Sequence, residues 1–406
     1  MSPGAIRRRF RVAFDAALLA VDPEESTRAA LARTEITPPV TLLAIGKAAA
    51  GMARGAVREL GGAVASGVVV MPAENSAPPR LRALIGDHPL PGPGSLMAGR
   101  ALLQAAAGAE EGTLLVLVSG GGSALAEVPL PGLSLSDLTA TQQALLEAGA
   151  PIEDVNTVRR HLSRIKDGGL LREAGVPAVT LLISDVADAP PSAIASGPTL
   201  ADATSPSDGL DVLRSYGLAD TVPPAVPAAL ARARAPSPAG SHRWEVVADG
   251  ARAADAAAAH LAGAGLEVRL VTTSLRGPAE RAASELLRRA GPGTVDIAAG
   301  ETTVTVTGGG LGGRNQHAAL AAAIRIDGRR AVFAALGTDG RDGPTDAAGA
   351  IVDGSSAARM RAAGVNPSEY LRRCDSYRAL MASGDLVVTG PTGTNVADLW
   401  FVLAGV

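Results

Sequence analysis

The chain has 406 residues and a formal net charge of −3, and apolar residues make up 47% of it but aromatic residues only 2%. This length accommodates two or three domains, of which we expect two, while scattered basic residues and few aromatic rings argue against a nucleic-acid partner. The single cysteine, Cys374, excludes an intramolecular disulfide and favours a reducing compartment.

The amino terminus is basic and then apolar, with the sequence MSPGAIRRRFRVAFDAALLAV. Asp15 interrupts the apolar part, and no long hydrophobic run follows it. These features predict an amphipathic first helix rather than a membrane segment. We therefore expect a cytoplasmic protein without a membrane partner.

Lys47 follows the apolar run Val40–Ile45, which predicts a buried strand, and it precedes an alanine-rich helix. Sheets of the α/β class bind ligands at such a junction of strand and helix. The residues around Gly46 lack Walker A spacing, so Lys47 is a candidate phosphate-binding residue outside the P-loop class. A solvated surface lysine is the alternative.

The next apolar run, Gly67–Met71, predicts another buried strand. The segment that follows, residues 73–95, is rich in Pro and Gly and predicts a long surface excursion without regular elements. We interpret its histidine, His88, as a hydrogen-bonded loop residue and not as a catalyst. A helix over Ser95–Ala109 leads to the following strand.

A buried parallel strand that ends in a glycine loop is predicted by the stretch TLLVLVSGGGSA, residues 113–124. Without a Cβ, Gly120, Gly121 and Gly122 can adopt positive φ and bring backbone N–H groups close to an anion. Ser123 is placed to cap the next helix or to contact a ligand. The alternative is a turn that packs strand against helix and binds nothing.

A helical pattern extends over residues 133–175, with caps expected at Ser136 and near Asp154. The spacing of Arg159, Ser163 and Lys166 puts them on one face of such a helix, where a paired Arg and Lys could hold a carboxylate or phosphate. A charged solvent face is the alternative.

The run Ala178–Val186 predicts a further buried strand, which ends in Ser184 and Asp185. A carboxylate at this position is placed to hold Mg²⁺ beside a phosphate, although Asp is also a common capping residue. Residues 194–199, IASGPT, predict a Ser-Gly-Pro turn.

A shift to Ala, Pro, Ser and Arg over Pro223–Arg243 marks the best candidate linker. We place the domain boundary between residues 235 and 236. After the linker, the runs WEVVADG and EVRLVTTSL flank an alanine-rich helix and predict one β-α-β unit.

A second glycine-rich stretch, Glu301–His317, begins with a strand-like alternation and leads into a helix. Gly308, Gly310 and Gly313 match the dinucleotide pattern G-x-G-x-x-G, which is a weak signal when it occurs alone. The residues that follow, Arg314-Asn315-Gln316, offer donors suited to a phosphoryl group.

Two loops near the carboxyl terminus are further candidates for binding a ligand. The first loop follows an apolar strand and contains four carboxylates, which are suited to Mg²⁺ or to Asx turns: Asp339, Asp342, Asp346 and Asp353. The second loop is rich in Gly and Thr and follows the apolar run LVV.

Taken together, the segments resemble the class II glycerate 2-kinase family, whose carboxy-terminal part is the MOFRL domain. The stretches that carry the resemblance are AIGKAAAGMA, LVSGGGSAL, VNTVRRHLSRIK, SDV with IASGPT, GETTVTV, GGRNQ, GTDGRDGPTDAAGAIVDG and TGPTGTNVADL. They extend over nearly the whole chain in one order. The resemblance implies an α/β protein with a Rossmann-like parallel-sheet domain (1–235), a MOFRL α/β domain (236–406) and an active site in the interdomain cleft.

The reaction that the resemblance implies is ATP- and Mg²⁺-dependent phosphorylation of D-glycerate at O2, so the expected partners are a nucleotide and a small hydroxy acid. A homodimer is left open. By resemblance, Lys47 and Arg314 stabilise charge on the phosphoryl group, and Asp185 binds a metal or orients the hydroxyl. Our own assignments are Asp185 as the base and Asp339 as a second metal ligand. The resemblance implies nucleotide or glycerate contacts in two loops, and we assign the nucleotide to Ser119, Gly120, Gly121, Gly122, Ser123, Thr389, Thr392 and Asn395. The implied substrate contacts are Arg159, Ser163, Lys166 and Asn315.

The chain departs from the family pattern at several positions. Gly92 replaces an acid, Asp188-Ala189 replaces Gly-Asp, Asp167 replaces a glycine, and His317 replaces a Glu. These changes leave phosphoryl transfer as the prediction but put the substrate in doubt. Three alternatives follow: a kinase of another hydroxy acid, an NAD(P)H-dependent hydroxypyruvate reductase, and a sensor without catalysis.

Overall fold

The computed structural model describes residues 1–72, 76–186, 189–233 and 241–405. The chain divides into two compact units. The parallel-sheet unit comprises Pro23–Ile183 and Ala189–Val247, and the mixed-sheet unit comprises Met1–Asp22, Ser184–Asp188 and Ala248–Val406. The predicted domain boundary between residues 235 and 236 lies outside the described residues, as does Asp188.

The strands of the described residues are β1 (Val40–Ile45), β2 (Val64–Met71), β3 (Arg82–Ile85), β4 (Thr113–Ser119), β5 (Ala178–Ile183), β6 (His242–Ala248), β7 (Glu267–Leu275), β8 (Thr294–Gly300), β9 (Ala331–Gly337), β10 (Gly349–Asp353), β11 (Leu386–Val387) and β12 (Asp398–Ala404).

The helices are α1 (Pro3–Ala20), α2 (Pro23–Leu31), α3 (Ala49–Leu60), α4 (Pro93–Ala107), α5 (Gly122–Leu125), α6 (Leu135–Glu147), α7 (Ile152–Arg160), α8 (Gly169–Glu173), α9 (Pro206–Ser215), α10 (Ala225–Arg232), α11 (Gly250–Gly263), α12 (Ala279–Arg289), α13 (Arg314–Arg325), α14 (Ser356–Ala362), α15 (Pro367–Arg372) and α16 (Ser376–Ser383). Among these helices of the described chain, none is both long and apolar enough to cross a bilayer.

The first sheet has the strand order β3-β2-β1-β4-β5-β6, and strands β1 to β5 pair in parallel. Every residue of β4 and β5 is buried, as expected of parallel strands that helices cover on both faces. Strands β1 and β4 are neighbours, with Ile45 paired to Val118. The loops that follow these two strands therefore lie side by side at one edge of the sheet. This sheet confirms the predicted Rossmann-like α/β class.

The second sheet has the order β11-β10-β9-β12-β8-β7 and is mixed. Strand β12 is antiparallel to both β8 and β9, so the carboxyl ends of β8 and β9 lie at the same edge as the start of β12. Asp398, the first residue of β12, is paired with Gly300 and with Gly337. The residues after β8 and β9 are thereby brought beside Asp398.

The amphipathic first helix is confirmed as α1, and it packs within the mixed-sheet unit. Its apolar stripe is buried, and the Phe10 ring stacks on Phe401 with centroids 5.4 Å apart. Arg7 forms ion pairs with Asp353 and Asp385, at 3.0 and 2.7 Å. Apolar burial and ion pairing together hold α1 to this unit.

The structure corrects three predictions of local structure. Strand β3 lies inside the Pro-rich segment that was expected to lack regular elements. The long helical pattern is divided into α6, α7 and α8, and Ser134 rather than Ser136 caps α6. The strand-like start of the second glycine-rich stretch forms no strand. Strand β8 ends just before it, at Gly300.

The prediction of one β-α-β unit after the linker is also wrong. Its first strand, β6, belongs to the parallel-sheet unit's sheet, whereas its second strand, β7, belongs to the other sheet. Helix α11 forms between them as expected. Periodicity indicates a strand but not which sheet it joins, because the neighbouring strands come from elsewhere in the chain.

Candidate active site

The glycine loop of the parallel-sheet unit is a close junction between the ends of β1 and β4. The backbone N–H of Lys47 donates to the carbonyl of Gly120 at 2.9 Å, and that of Ala48 donates to Ser119 Oγ at 3.0 Å. Gly46 has φ of +126°, and a Cβ there would lie 2.2 Å from Ser119 Oγ. Only glycine therefore permits this approach of the two strand ends.

The Lys47 side chain lies against the glycine loop. A Cβ on Gly121, which has φ of +82°, would be 3.2 Å from Lys47 Cγ and 3.6 Å from His88 Cδ2. The loop therefore brings backbone, ammonium group and imidazole together at the carboxyl edge of the parallel sheet, where α/β proteins bind ligands. Burial, and then the charge of Lys47, lower the pKa of His88, which keeps the imidazole neutral at pH 7.

Ser123, just inside α5, contacts a strained turn. Its hydroxyl lies 3.0 Å from that of Ser196. Ala195, Ser196 and Gly197 have consecutive positive φ values of 52°, 61° and 66°. Non-glycine residues in this conformation are typical of sites where the surrounding fold imposes the backbone. The predicted Ser-Gly-Pro turn is confirmed, and it places one of its hydroxyls beside the glycine loop.

The three residues predicted to share a helix face do not share one. Helix α7 ends at Arg160, and the following chain pairs with residues 128–130, as shown by the bridge between Pro129 and Ser163. Arg159 is the only one of the three in the helix, and its guanidinium donates to Ser123 Oγ at 3.3 Å. Ser163 and Lys166 lie beyond the helix end.

Ser163 and Lys166 are nevertheless held together, by a residue that sequence reasoning missed. Glu127 accepts a hydrogen bond from the Ser163 hydroxyl and forms an ion pair with Lys166. Glu127 and Lys166 are both 1% exposed. Burial lowers the pKa of Lys166, and the carboxylate of Glu127 opposes that change. Burial likewise lowers the pKa of Arg159, again opposed by Glu127.

Arg314 is the first residue of α13 in the mixed-sheet unit, and two carboxylates orient it. Its Nε and Nη2 donate to the two oxygens of Asp398 at 2.6 and 3.1 Å, and its Nη1 lies 2.6 Å from Glu301 Oε1. Burial alone would lower the pKa of Arg314, but the hydrogen bonds that it donates to Asp398 raise the pKa above its usual value. Arg314 is therefore a fixed, permanent cation at this sheet edge.

Asp342 caps the start of α13. Its carboxylate accepts the backbone N–H groups of Asn315 and Gln316, at 3.1 and 2.7 Å. Burial raises the pKa of Asp342 to about 7 despite these hydrogen bonds. The Asn315 side chain is buried, and its Oδ1 accepts from the Trp400 indole at 2.8 Å. Asn315 and Asp342 therefore hold the segment that carries Arg314.

The glycines of the G-x-G-x-x-G match pack against other parts of the backbone. A Cβ on Gly308 or Gly310 would lie 2.8 or 2.4 Å from the carbonyl oxygen of Arg373, and one on Gly313 would lie 2.3 Å from Asp342 Oδ1. Thirteen residues separate β8 from α13, whereas the dinucleotide fingerprint is a tight turn between strand and helix. This geometry gives the fingerprint no support.

The remaining predicted residues of the mixed-sheet unit lie in contacting loops. Thr392 donates from its hydroxyl to the Thr338 carbonyl at 2.5 Å, and its N–H to the Asp339 carbonyl at 3.4 Å. A Cβ on Gly340 would lie 2.8 Å from the Thr389 hydroxyl, which shows how closely the two loops approach. Asn395 donates to Asp185 at 3.5 Å.

Asp185 and Asp339 are the predicted metal ligands. Among the residues that the structure describes, no group of three or more His, Cys, Asp or Glu side chains could hold a metal ion. Mg²⁺ in kinases is commonly held by one or two carboxylates together with substrate phosphates, because it keeps most of its water. The carboxylates present fit that mode and do not form a cage built from protein ligands alone.

Sequence reasoning missed or set aside four charged or titratable residues that lie near the glycine loop or near Arg314. They are His88, Glu127, Glu301 and Asp398. The sequence offered no local signal for Glu127 or Asp398, because each acts on a residue far along the chain. Gly92, where the resemblance implies an acid, lies beside the carboxylate of Asp87: a Cβ on Gly92 would be 2.6 Å from Asp87 Oδ2, which accepts the backbone N–H of Ser95 in α4.

The chain matches two family models. Residues 9–231 match the family described as Domain of unknown function (DUF4147), and residues 294–398 match the MOFRL family. The chain is 39% identical to the D-glycerate 2-kinase of Thermotoga maritima, over 94% of both proteins. It is also 39% identical to a protein of Agrobacterium vitis named as a hydroxypyruvate reductase, over 98% of this chain and 94% of the relative.

Structural similarity extends over the whole chain. The crystal structure of glycerate kinase from Thermotoga maritima superposes with a TM-score of 0.91 at 35% sequence identity. The match covers 99% of this chain and 100% of the other.

Proposed function

Because the chain belongs to the class II glycerate 2-kinase family and is thus a kinase, we propose that it transfers the γ-phosphoryl group of ATP to the 2-hydroxyl of D-glycerate. The products are ADP and 2-phosphoglycerate. The observation that carries this proposal is the contact of Lys47 with the glycine loop at the carboxyl edge of the parallel sheet. A cytoplasmic location stays a prediction.

Phosphoryl transfer requires positioning and fixed charge more than covalent chemistry. Lys47 and Arg314 supply the cations that stabilise the negative charge on the transferring phosphoryl group. Asp398 and Glu301 keep Arg314 oriented before the substrate binds, so no reorganisation is needed in the transition state. The glycine loop from Ser119 to Ser123 and the loop bearing Thr389, Thr392 and Asn395 contact the nucleotide.

We assign the base that accepts the hydroxyl proton to Asp185. Asn395 donates to one carboxylate oxygen of Asp185 and limits its rotation. Asp185 and Asp339 would also be the protein ligands of Mg²⁺, which when bound supplies charge that screens the phosphates of the nucleotide.

The hydroxy acid requires cationic and polar contacts for its carboxylate. We assign these to Arg159, with Ser163, Lys166 and Asn315 as further predicted contacts. Arg159 is the best placed of the four, because it is half-buried and directed at the glycine-loop hydroxyl of Ser123. The other three are buried, and each has a hydrogen bond to another side chain.

The decisive experiment measures ADP release from purified protein with ATP, Mg²⁺ and D-glycerate. The acceptor specificity is controlled with L-glycerate, and a parallel sample receives hydroxypyruvate with NADPH. Added enolase consumes 2-phosphoglycerate but not its 3-isomer, so a coupled absorbance change identifies the phosphorylated position. We expect ADP release and enolase coupling with D-glycerate. NADPH oxidation without ADP release would contradict the proposal and favour the reductase.

A further inference from the structure

Glu127 lies just beyond α5, the short helix that follows the glycine loop, and it is almost fully buried. One carboxylate oxygen accepts from the Ser163 hydroxyl and, at 3.1 Å, from the backbone N–H of Val128. The other oxygen pairs with Lys166. A buried carboxylate with this many partners fixes the segments that it joins.

The segments that Glu127 joins carry Ser123 and Arg159. Residue 127 follows α5, which contains Ser123, and the 162–166 segment follows α7, which contains Arg159. The two chains pair directly, since the N–H of Leu130 donates to Leu162 at 2.9 Å and that of Arg164 to Val128 at 2.8 Å. Glu127 adds side-chain bonds across the same junction.

The cluster has an excess of positive charge. Among the residues that the structure describes, Glu127 is the carboxylate that acts on both Arg159 and Lys166: it bonds to Lys166 and acts on Arg159 only through its charge. In the described part of the chain, Arg159 has no ion pair within 4 Å, whereas the adjacent Arg160 pairs with Asp202. Arg159 is thus left with hydrogen bonds to Ser123, one of whose neighbours is Ser196.

We infer that Glu127 is a positioning residue: it holds the segment that carries Arg159 against α5, and so places the Arg159 guanidinium as the anchor for the carboxylate of the hydroxy acid. The inference rests on the proposed function, because it takes a small hydroxy acid as the ligand. Glu127 itself does not contact the ligand. The inference narrows the substrate contacts proposed above: Arg159 meets the substrate, whereas Lys166 pairs with Glu127 and does not contact the substrate.

Positioning and simple charge compensation predict opposite effects of Glu127→Gln. This substitution removes one negative charge beside Arg159, so charge alone predicts tighter binding of an anion. Positioning predicts weaker binding, because the amide faces the ammonium group of Lys166 and the junction between the two segments loosens. We expect the dissociation constant for D-glycerate to rise by roughly 10- to 100-fold, as displacement of a binding group by about 1 Å allows.

The experiment measures D-glycerate binding by calorimetry, with KM values for D-glycerate and ATP in parallel. A second variant, Glu127→Met/Lys166→Met, removes both charges at similar volume, which keeps the net charge of the cluster and the fold. Asp296→Asn is the matched control, because Asp296 is a fully buried carboxylate that pairs with Arg269 in the mixed-sheet unit. We expect weaker D-glycerate binding in both Glu127 variants, with ATP KM within about twofold, and unchanged binding in the control.

Wild-type affinity in the double variant, or tighter binding in the single variant, would overturn the inference. The inference also fails if the wild-type protein does not bind D-glycerate. If the wild type binds D-glycerate but releases no ADP, the proposed function fails while the binding comparison still decides the role of Glu127. If Asp296→Asn weakens D-glycerate binding as much as the Glu127 variants do, the effect is a general loss of stability, and this result also overturns the inference.

Discussion

The two groups of candidate site residues differ in the sign of their charge. Around the glycine loop, the candidate site residues are the three cations Lys47, Arg159 and Lys166, together with the carboxylate of Glu127, which pairs with Lys166. Around Arg314 the balance is reversed, with Asp398 and Glu301 in direct contact and Asp342 at the start of the same helix. The first group suits anionic ligands. The second uses its acids to orient one arginine.

Lysine usage sharpens this difference. The chain has 37 basic residues, of which only Lys47 and Lys166 are lysines, and both belong to the cationic group. Arginine presents a rigid fork of donors, whereas the lysine ammonium is a compact charge on a flexible stem that fits a narrow or buried position. The bidentate contact of Arg314 with Asp398 depends on the rigid fork of arginine, and the burial of Lys166 depends on the compact charge and flexible stem of lysine.

The comparison is tested most severely by Lys47→Ala and Arg314→Ala, one in each group. If both groups act in one reaction, each variant should lose roughly 10³-fold or more of kcat while staying folded, because each removes a fixed charge from the phosphoryl group. ADP release and circular dichroism measure the two properties. Near-normal turnover in either variant would show that its group is not needed for the chemistry.

Each of these variants has a matched control in its own unit. Arg33 pairs with Glu245 in the parallel-sheet unit, and Arg361 pairs with Asp327 at 2.8 Å in the mixed-sheet unit. Both arginines are more than half exposed at the side chain, so Arg33→Ala and Arg361→Ala should leave turnover within about twofold. A large loss of turnover in either control would show that removal of any arginine in that unit impairs the enzyme, and the loss in Lys47→Ala or Arg314→Ala could then not be assigned to the phosphoryl group.

A smaller effect, on stability, is expected from Gly46→Ala. Gly46 has φ of +126° and touches Ser119, so an added methyl group must push the ends of β1 and β4 apart. We expect the free energy of unfolding to fall by roughly 2 to 4 kcal/mol, measured by denaturant titration. Gly62→Ala is the control, because nothing lies within 4 Å of its Cβ position. Equal effects at the two positions would contradict the close junction.

The smallest expected effect is a pH dependence that has opposite signs at two buried acids of the mixed-sheet unit. The folded pKa of Asp342 is raised to about 7 by burial, so its stabilising contribution is present below pH 4 and is lost as the pH rises to about 7. The pKa of Asp353 is lowered to about 2: burial opposes this, but the Ser355 hydrogen bonds and two arginines outweigh it. Its contribution is present above pH 4 and is lost towards pH 2.

Stability measured from pH 2 to 8 for the wild type, Asp342→Asn and Asp353→Asn checks both signs. The wild type should lose stability relative to Asp342→Asn between pH 4 and 7, by roughly 1 to 3 kcal/mol. Relative to Asp353→Asn, the wild type should lose its advantage as the pH falls from 4 to 2. Parallel curves for the wild type and either variant would refute the corresponding pKa shift.

Several features could be read from the sequence because they depend on neighbouring residues only. The runs Val40–Ile45 and Thr113–Ser119 form the predicted strands, since a continuous apolar run is what a strand covered on both faces requires. The motif segments identified the family. The helix face proposed for Arg159, Ser163 and Lys166 failed, because the chain after Arg160 pairs with residues 128–130, which no helical periodicity reveals.

The sequence by itself thus determined the apolar strands, the glycine loop after one of them, the position of Lys47 after another, and the kinase family of this protein. Only the tertiary structure decided which charges meet. Glu127 reaches Lys166 across 39 positions, and Asp398 reaches Arg314 across 84. Such pairs are set by strand order and by where each strand ends, because a side chain's partner in a sheet protein comes from the neighbouring strand or loop and not from nearby in the chain.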